Sequence, residues 1–174
     1  MIYIKIAGAV LVLAAGFLAG RVATGAWRRR AEQLGQLSWA MGALATEMNC
    51  LLSPLPQLLG KLAAKLPAPA GELFQETAAG LEAGTGITAQ MAWEEALEKV
   101  GPRLCLLAED LALLNSLGAY LGASELADQL KRLEGVGLQL EEQRQKAGEA
   151  AVREGKLIGF AWPAVALAVV ILFW

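Results

Sequence analysis

Apolar residues run almost unbroken at both ends of the chain and recur at helical spacing in between. Ile2–Gly20 is interrupted only by Lys5, and Leu157–Trp174 carries no charge. Each run approaches the roughly 20 residues a helix needs to cross a bilayer core, so residues 1–22 and 157–174 are predicted to be transmembrane helices. Further in, Leu34, Leu37, Met41, Leu44, Met48 and Leu51 alternate spacings of three and four. That rhythm lays one apolar stripe along a helix from near Trp27 to Leu52, which Pro54 and Pro56 stop.

The remaining pattern predicts five shorter segments of the same kind. A helix from about Pro56 to Leu66 ends before Pro67-Ala68-Pro69, and one from Gly71 to Ala83 ends at Gly84-Thr85-Gly86. Thr88 is placed to cap a fourth, with Met91, Ala92, Ala96 and Leu97 facing inward and Gly101-Pro102 closing it. Leu104, Leu107, Leu111, Leu114 and Leu121 mark a fifth, on which Gly118 takes a stripe position and lets a neighbour approach. Ser124 caps the last, whose Leu126, Leu130, Leu133 and Leu140 give way to a polar stretch over Glu141–Lys156. That stretch reads as a stalk continuing into the second span, or as a partner for the start of the first helix. Period-2 alternation is not sustained anywhere, so the expected fold is all-α: a six-helix antiparallel bundle over residues 23–156 between two membrane helices.

Composition and charge then fix an orientation. A chain of 174 residues that is 56% hydrophobic, with a mean hydropathy of +0.44, is more apolar than an ordinary soluble domain. Arg21, Arg28, Arg29 and Arg30 follow the first apolar run, Arg153 and Lys156 precede the second, and Tyr3, Trp27, Trp162 and Trp174 lie near the expected interfaces. By the positive-inside rule the bundle faces the cytosol and both termini lie outside, with those six basic residues as lipid-facing anchors. A cleavable signal peptide is the rival for the first run, but three successive arginines behind it resist translocation. Residues 31–152 hold sixteen acidic and eight basic residues, a net charge of −8, which argues against nucleic-acid binding. Gly16-x-x-x-Gly20 and Gly155-x-x-x-Gly159 would allow close packing of spans and a homo-oligomer.

Residue types that carry chemistry are sparse. There is no histidine and no Cys-x-x-Cys, which removes the usual zinc ligand sets and the commonest general base. Cys50 and Cys105 are expected to be reduced, buried apolar side chains. Glu94-Glu95 with Glu98, Glu109-Asp110 and Glu141-Glu142 lie off the leucine stripes, and neighbours on a helix diverge by about 100°, so all three groups are expected on solvated faces. Glu47 sits beside Met48 near the Pro54 turn, where it either pairs with Lys61 or Lys65 or meets a partner. No phosphate-binding loop or nucleophile elbow occurs. The expectation is a scaffold without catalytic, cofactor or metal residues, using Glu47, Glu94, Glu95 and Glu98 to contact a partner.

In order and spacing, several segments resemble the stage III sporulation protein AB family of endospore-forming bacteria. They are the N-terminal span and basic turn, Glu47-Met48 followed by Pro54-Leu55, Leu73-Phe74, Ala92-Trp93-Glu94-x-x-Leu97-x-Lys99-Val100, Leu117-Gly118-x-x-Leu121-Gly122, the Gln129-bearing helix and the terminal span. The chain departs from the family pattern at Cys50–Ser53, which lacks the polar residues expected there, and in its richness in Ala and Gly. The resemblance implies a part of the complex that joins mother cell and forespore across their envelopes, in the mother-cell membrane. It also implies a cytosolic domain similar to the platform protein F of type II secretion, a six-helix bundle beside a hexameric ATPase, here stage III sporulation protein AA. A membrane-anchored regulatory or sensor module is the alternative. A lipid-modifying enzyme would need polar groups at membrane depth, where only Lys5 is on offer.

Overall fold

The computed structural model describes the backbone of residues 2–50, 53–84, 86–122 and 125–173, and the side chains of 25–50, 53–84, 86–122 and 125–156. Among these residues there are six α-helices and no strand: α1 (Ile2–Cys50), α2 (Leu55–Ala63), α3 (Ala70–Glu82), α4 (Ala89–Val100), α5 (Ala108–Gly118) and α6 (Leu126–Phe173), with a 3-10 turn at Gly101–Arg103. The first and last helices are far longer than the sequence stripes alone require. Helix α1 carries straight through the basic turn, and α6 runs unbroken through Glu141–Lys156, as the polar stretch suggested.

Residues Arg30–Gln145 form one compact unit, and Met1–Arg29 with Lys146–Trp174 form another. In the terminal unit, Ala147 and Ala151 are buried. The segments 1–22 and 157–174, where the sequence predicts spans, lie outside the described side chains, as does Arg21; Ser124, expected as a cap, lies outside the described residues. Among the described residues no helix is long and apolar enough to cross a membrane.

Within Arg30–Gln145 the core is built from the predicted stripe. Leu34, Leu37, Met41 and Leu44 of α1 are essentially inaccessible to solvent, each such side chain contributing about 1.5–3 kcal/mol over exposure. They are joined by Leu58, Leu59 and Leu62 of α2, Leu73 and Phe74 of α3, Trp93 of α4, Leu114 and Leu117 of α5, and Leu133 and Leu140 of α6. Contacts show α3 and α4 running antiparallel. Glu72, Glu76 and Gly80 of α3 meet Arg103, Lys99 and Ala92 in descending order. Likewise Arg30 of α1 reaches Gln143 of α6 while Ser38 Oγ donates to the Gly137 carbonyl at 2.9 Å.

Two glycines make the packing possible. A Cβ on Gly71 would fall 2.6 Å from the Leu66 carbonyl oxygen and 2.8 Å from that of Ala63, so the α2–α3 corner closes only over a bare Cα. Gly118 does what its stripe position implied: a Cβ there would stand 3.0 Å from Trp93 Cδ1. Trp93 fills that space, tilts against Phe74 at a centroid distance of 5.7 Å, and donates Nε1–H to the Leu114 carbonyl at 2.8 Å.

The local assignments also need correction. Thr88 caps α4 as expected, its Oγ1 accepting from the Met91 amide at 3.2 Å, but Met91 is 48% exposed and Trp93 takes the inward place. Leu107 and Leu126, placed on stripes, are exposed, and so is Cys50, whereas Leu117 and Val136 are buried. On α5 the apolar face is shifted by one residue, so that Asp110, Leu114 and Leu117 share it, and Leu121 is buried just beyond the end of the helix.

Candidate functional site

That shift of register brings a carboxylate into the core. Asp110 is 0% exposed, and its oxygens accept from Arg30 of α1: Nε donates to Oδ2 at 2.8 Å and Nη2 to Oδ1 at 2.9 Å. A planar fork on a planar acceptor is the strongest arrangement available to this pair. Arg30 Nη2 also reaches Glu109 Oε1 at 3.0 Å and Gln143 Oε1 of α6 at 3.4 Å. One guanidinium therefore ties three helices together. Its hydrogen bond to Asp110 holds it above the ordinary arginine range, reinforced by the nearby carboxylate charges and opposed by burial.

Local sequence explains why Asp110 is available. As the third residue of α5 it turns back on the start of its own helix, where Oδ2 accepts the Leu107 amide at 2.9 Å, and the N-terminal dipole favours a negative charge there. One turn along α1 from Arg30, buried Gln33 accepts the Cys105 amide at 2.6 Å. The connection from α4 into α5 is thus fastened to α1 by two polar side chains.

These positions correct two sequence expectations. Arg30, grouped with the lipid anchors, is turned into the bundle and 5% exposed, so it is unavailable to headgroups. The Glu109-Asp110 pair is not on a solvated face: Asp110 is enclosed, and only Glu109 reaches solvent. Of the other expected anchors, Arg28, Arg29, Arg153 and Lys156 are exposed in the terminal unit.

The acids singled out as partner contacts do not form one cluster. Glu94, Glu95 and Glu98 share the exposed face of α4, with Gln90 Nε2 donating to Glu94 at 2.8 Å. Neighbouring acids are already neutralised, since Lys99 Nζ holds Glu76 at 2.6 Å and Arg103 holds Glu72 at 2.8 Å. The α4 face therefore keeps its charge. Glu47 belongs elsewhere, where Lys65 Nζ donates to Oε1 at 3.0 Å while Oε2 is buried without a hydrogen-bond partner. Lys65, one of the two lysines considered for it, is the one it meets.

Comparison with known proteins gives three concordant results. The family model for stage III sporulation protein AB matches residues 5–174. Stage III sporulation protein AB of Bacillus subtilis (strain 168) is 28% identical over 155 residues, covering 89% of this chain and 90% of the relative. A solved structure titled stage III sporulation protein AB superposes with a TM-score of 0.67 at 28% identity, covering 71% of this chain and 97% of that one.

Proposed function

The chain belongs to the stage III sporulation protein AB family, and from that premise we propose that it is a non-enzymatic platform subunit of a secretion-like complex spanning the envelopes between mother cell and forespore. On this reading residues 1–22 and 157–174 anchor it in the mother-cell membrane, both termini lie outside the cytosol, and the bundle faces the cytosol. Arg21, Arg28, Arg29, Arg153 and Lys156 contact lipid headgroups. The bundle receives the hexameric ATPase stage III sporulation protein AA and neighbouring subunits. Its work is positional: it holds a cytosolic motor against membrane components.

The observation that carries the docking surface is the uncompensated acidic face of α4, with Glu94, Glu95 and Glu98 exposed while Glu72 and Glu76 beside it are held by Arg103 and Lys99. Concentrated unpaired charge speeds and selects a complementary partner. The test is a pull-down of the ATPase with the wild type, with Glu94→Lys, Glu95→Lys and Glu98→Lys combined, and with Glu47→Gln, each checked by circular dichroism. The triple reversal is expected to weaken binding at unchanged helix content, and lower ionic strength to strengthen the wild-type contact. Equal binding by every folded variant at low and moderate salt would reject docking through these acids.

The unbroken helix α6, from Leu126 to Phe173, favours the regulatory alternative, because a continuous helix can carry a displacement from a membrane segment into the bundle. Gene context separates the two readings: an adjacent gene for a secretion-type ATPase favours the platform.

A further inference from the structure

Of the arginines within Arg30–Gln145, all but one meet carboxylates: Arg30 is held by Asp110 and Glu109, Arg103 by Glu72 and Arg144 by Glu141. Arg132 of α6 is the exception. Its guanidinium lies over the Tyr120 ring, 4.7 Å from the centroid, and Nη2 donates to Ser116 Oγ of α5 at 3.3 Å. A carboxylate was on offer one turn earlier on the same helix. Asp128 stands at the i, i+4 spacing that favours an ion pair, yet it stays exposed while Arg132 turns to the ring and the hydroxyl.

This placement holds a charged fork in position before anything binds. Stacking on Tyr120 and the bond to Ser116 restrain a half-buried side chain, so little rotamer freedom is left to lose on association. Nε is enclosed without a hydrogen-bond partner, whereas Nη1 is unbonded and open to solvent. The accessible edge is therefore the Nη1–Nη2 end, whose parallel donors fit the two oxygens of one carboxylate. Charge narrows the source. Residues 31–152 carry a net charge of −8, and exposed Asp128 lies one turn away, so a phosphate dianion, an anionic bilayer or a second copy of this chain meets repulsion. A lone carboxylate among neutral or basic residues makes the directional contact without that penalty.

We propose that Arg132, cradled by Tyr120 and Ser116, receives the carboxylate of one aspartate or glutamate on a neutral or basic surface of a different protein. Tyr120 is 38% exposed and offers its ring edge beside the ion pair. Tyrosine and arginine are among the residue types that concentrate binding energy at protein interfaces. The contact is separate from docking through α4, because Arg132 and Ser116 belong to α6 and α5.

The test uses the full chain in membranes from sporulating cells. Arg132→Lys is combined with Lys131→Arg, so that position 132 carries the only amine of that turn, and the membranes are treated with a water-soluble carbodiimide. That reagent joins an amine to a carboxylate only in direct contact, and mass spectrometry identifies the joined residues. The expected product links position 132 to an aspartate or glutamate of a different protein. Reversing that acid to lysine, or Arg132→Glu alone, is expected to lower co-purification of the two proteins about tenfold, roughly 1.4 kcal/mol, and the two reversals together to restore it. Arg132→Gln, which keeps the reach of the side chain without its charge, should also lower co-purification at an unchanged melting temperature, guarding against a folding defect. A link to Asp128 of the same chain or to a second copy, no link, undiminished co-purification in Arg132→Glu and Arg132→Gln, or no recovery in the exchanged pair would each overturn the proposal.

Discussion

Removing the Asp110 carboxylate should unfold the bundle more effectively than removing any exposed acid, because it leaves the Arg30 guanidinium buried without a counter-charge. The Arg30 and Asp110 side chains are 6% and 0% exposed. At about 3 Å and an effective dielectric near 20 their gross attraction is on the order of 5 kcal/mol, most of which only offsets desolvation. Deleting one partner keeps the desolvation of the other and so costs roughly 3–5 kcal/mol. Asp110→Ala also strips the Leu107 amide of its acceptor, adding about 1 kcal/mol. Against a typical domain stability of roughly 5–15 kcal/mol, that is enough to empty the folded state of a marginal bundle. Glu109→Ala touches the same guanidinium from a side chain 57% exposed, so solvent screening limits its cost to about 1 kcal/mol or less.

The assay is denaturant unfolding of the full chain in mild detergent, followed by near-ultraviolet circular dichroism, which reports the packing of the aromatic side chains, buried Trp93 among them, rather than helix content. The informative comparison is a cycle through Arg30→Met, Asp110→Leu and the double variant. Each single substitution strands a buried charge or its partner. The double variant replaces both by apolar side chains and should recover to within about 1–2 kcal/mol of wild type. Asp110→Ala matching Glu109→Ala, or a double variant as unstable as the sum of its parts, would show that the pair does not act as a buried unit.

Three further outcomes follow from the packing. Leu44→Asp, at a position 1% exposed, should abolish cooperative melting, while Glu95→Ala on the open α4 face should shift the midpoint very little; equal losses would disprove the burial. Gly118→Ala should destabilise by roughly 1–3 kcal/mol despite its helix propensity, because its Cβ meets the Trp93 ring, whereas Gly42→Ala should be neutral or stabilising by up to about 1 kcal/mol in the same melts. With the proposed orientation, exposed Cys50 should resist an impermeant thiol reagent in intact cells and react after lysis; labelling in intact cells would reverse the topology.

Helix positions were legible wherever a long stripe met a strong stop. The α1 stripe carried the core through Leu34, Leu37, Met41 and Leu44, and Thr88 with Gly101-Pro102 bracketed α4, because period, cap and breaker agreed there. Helix α5 was harder, since a leucine-rich segment is apolar on more than one face. Leu104, Leu107, Leu111 and Leu114 make a plausible stripe, yet Leu107 starts the helix with its side chain in solvent and the true face passes through Asp110, Leu114 and Leu117. Nothing in the local pattern favours enclosing an aspartate over a leucine. The choice depends on Arg30, eighty positions away.

A signal for that pair did exist, on both helices at once. Extending the three-and-four rhythm backwards from Leu37 and Leu34 lands on Arg30, and extending it backwards from Leu117 and Leu114 lands on Asp110. Arg30 was masked by Arg28 and Arg29, whose company suggested a basic turn at a membrane surface, although three successive residues on a helix point about 100° apart and cannot all face the same way. A charged residue in register with an apolar stripe is costly unless an opposite charge sits in register on a facing stripe. Two such positions of opposite sign on two helices therefore predict a buried contact, and with it the relative placement of the helices. Here that rule would have selected the α5 register and withdrawn Arg30 from the lipid anchors, leaving Arg28 and Arg29, both exposed, as the residues of that turn open to solvent.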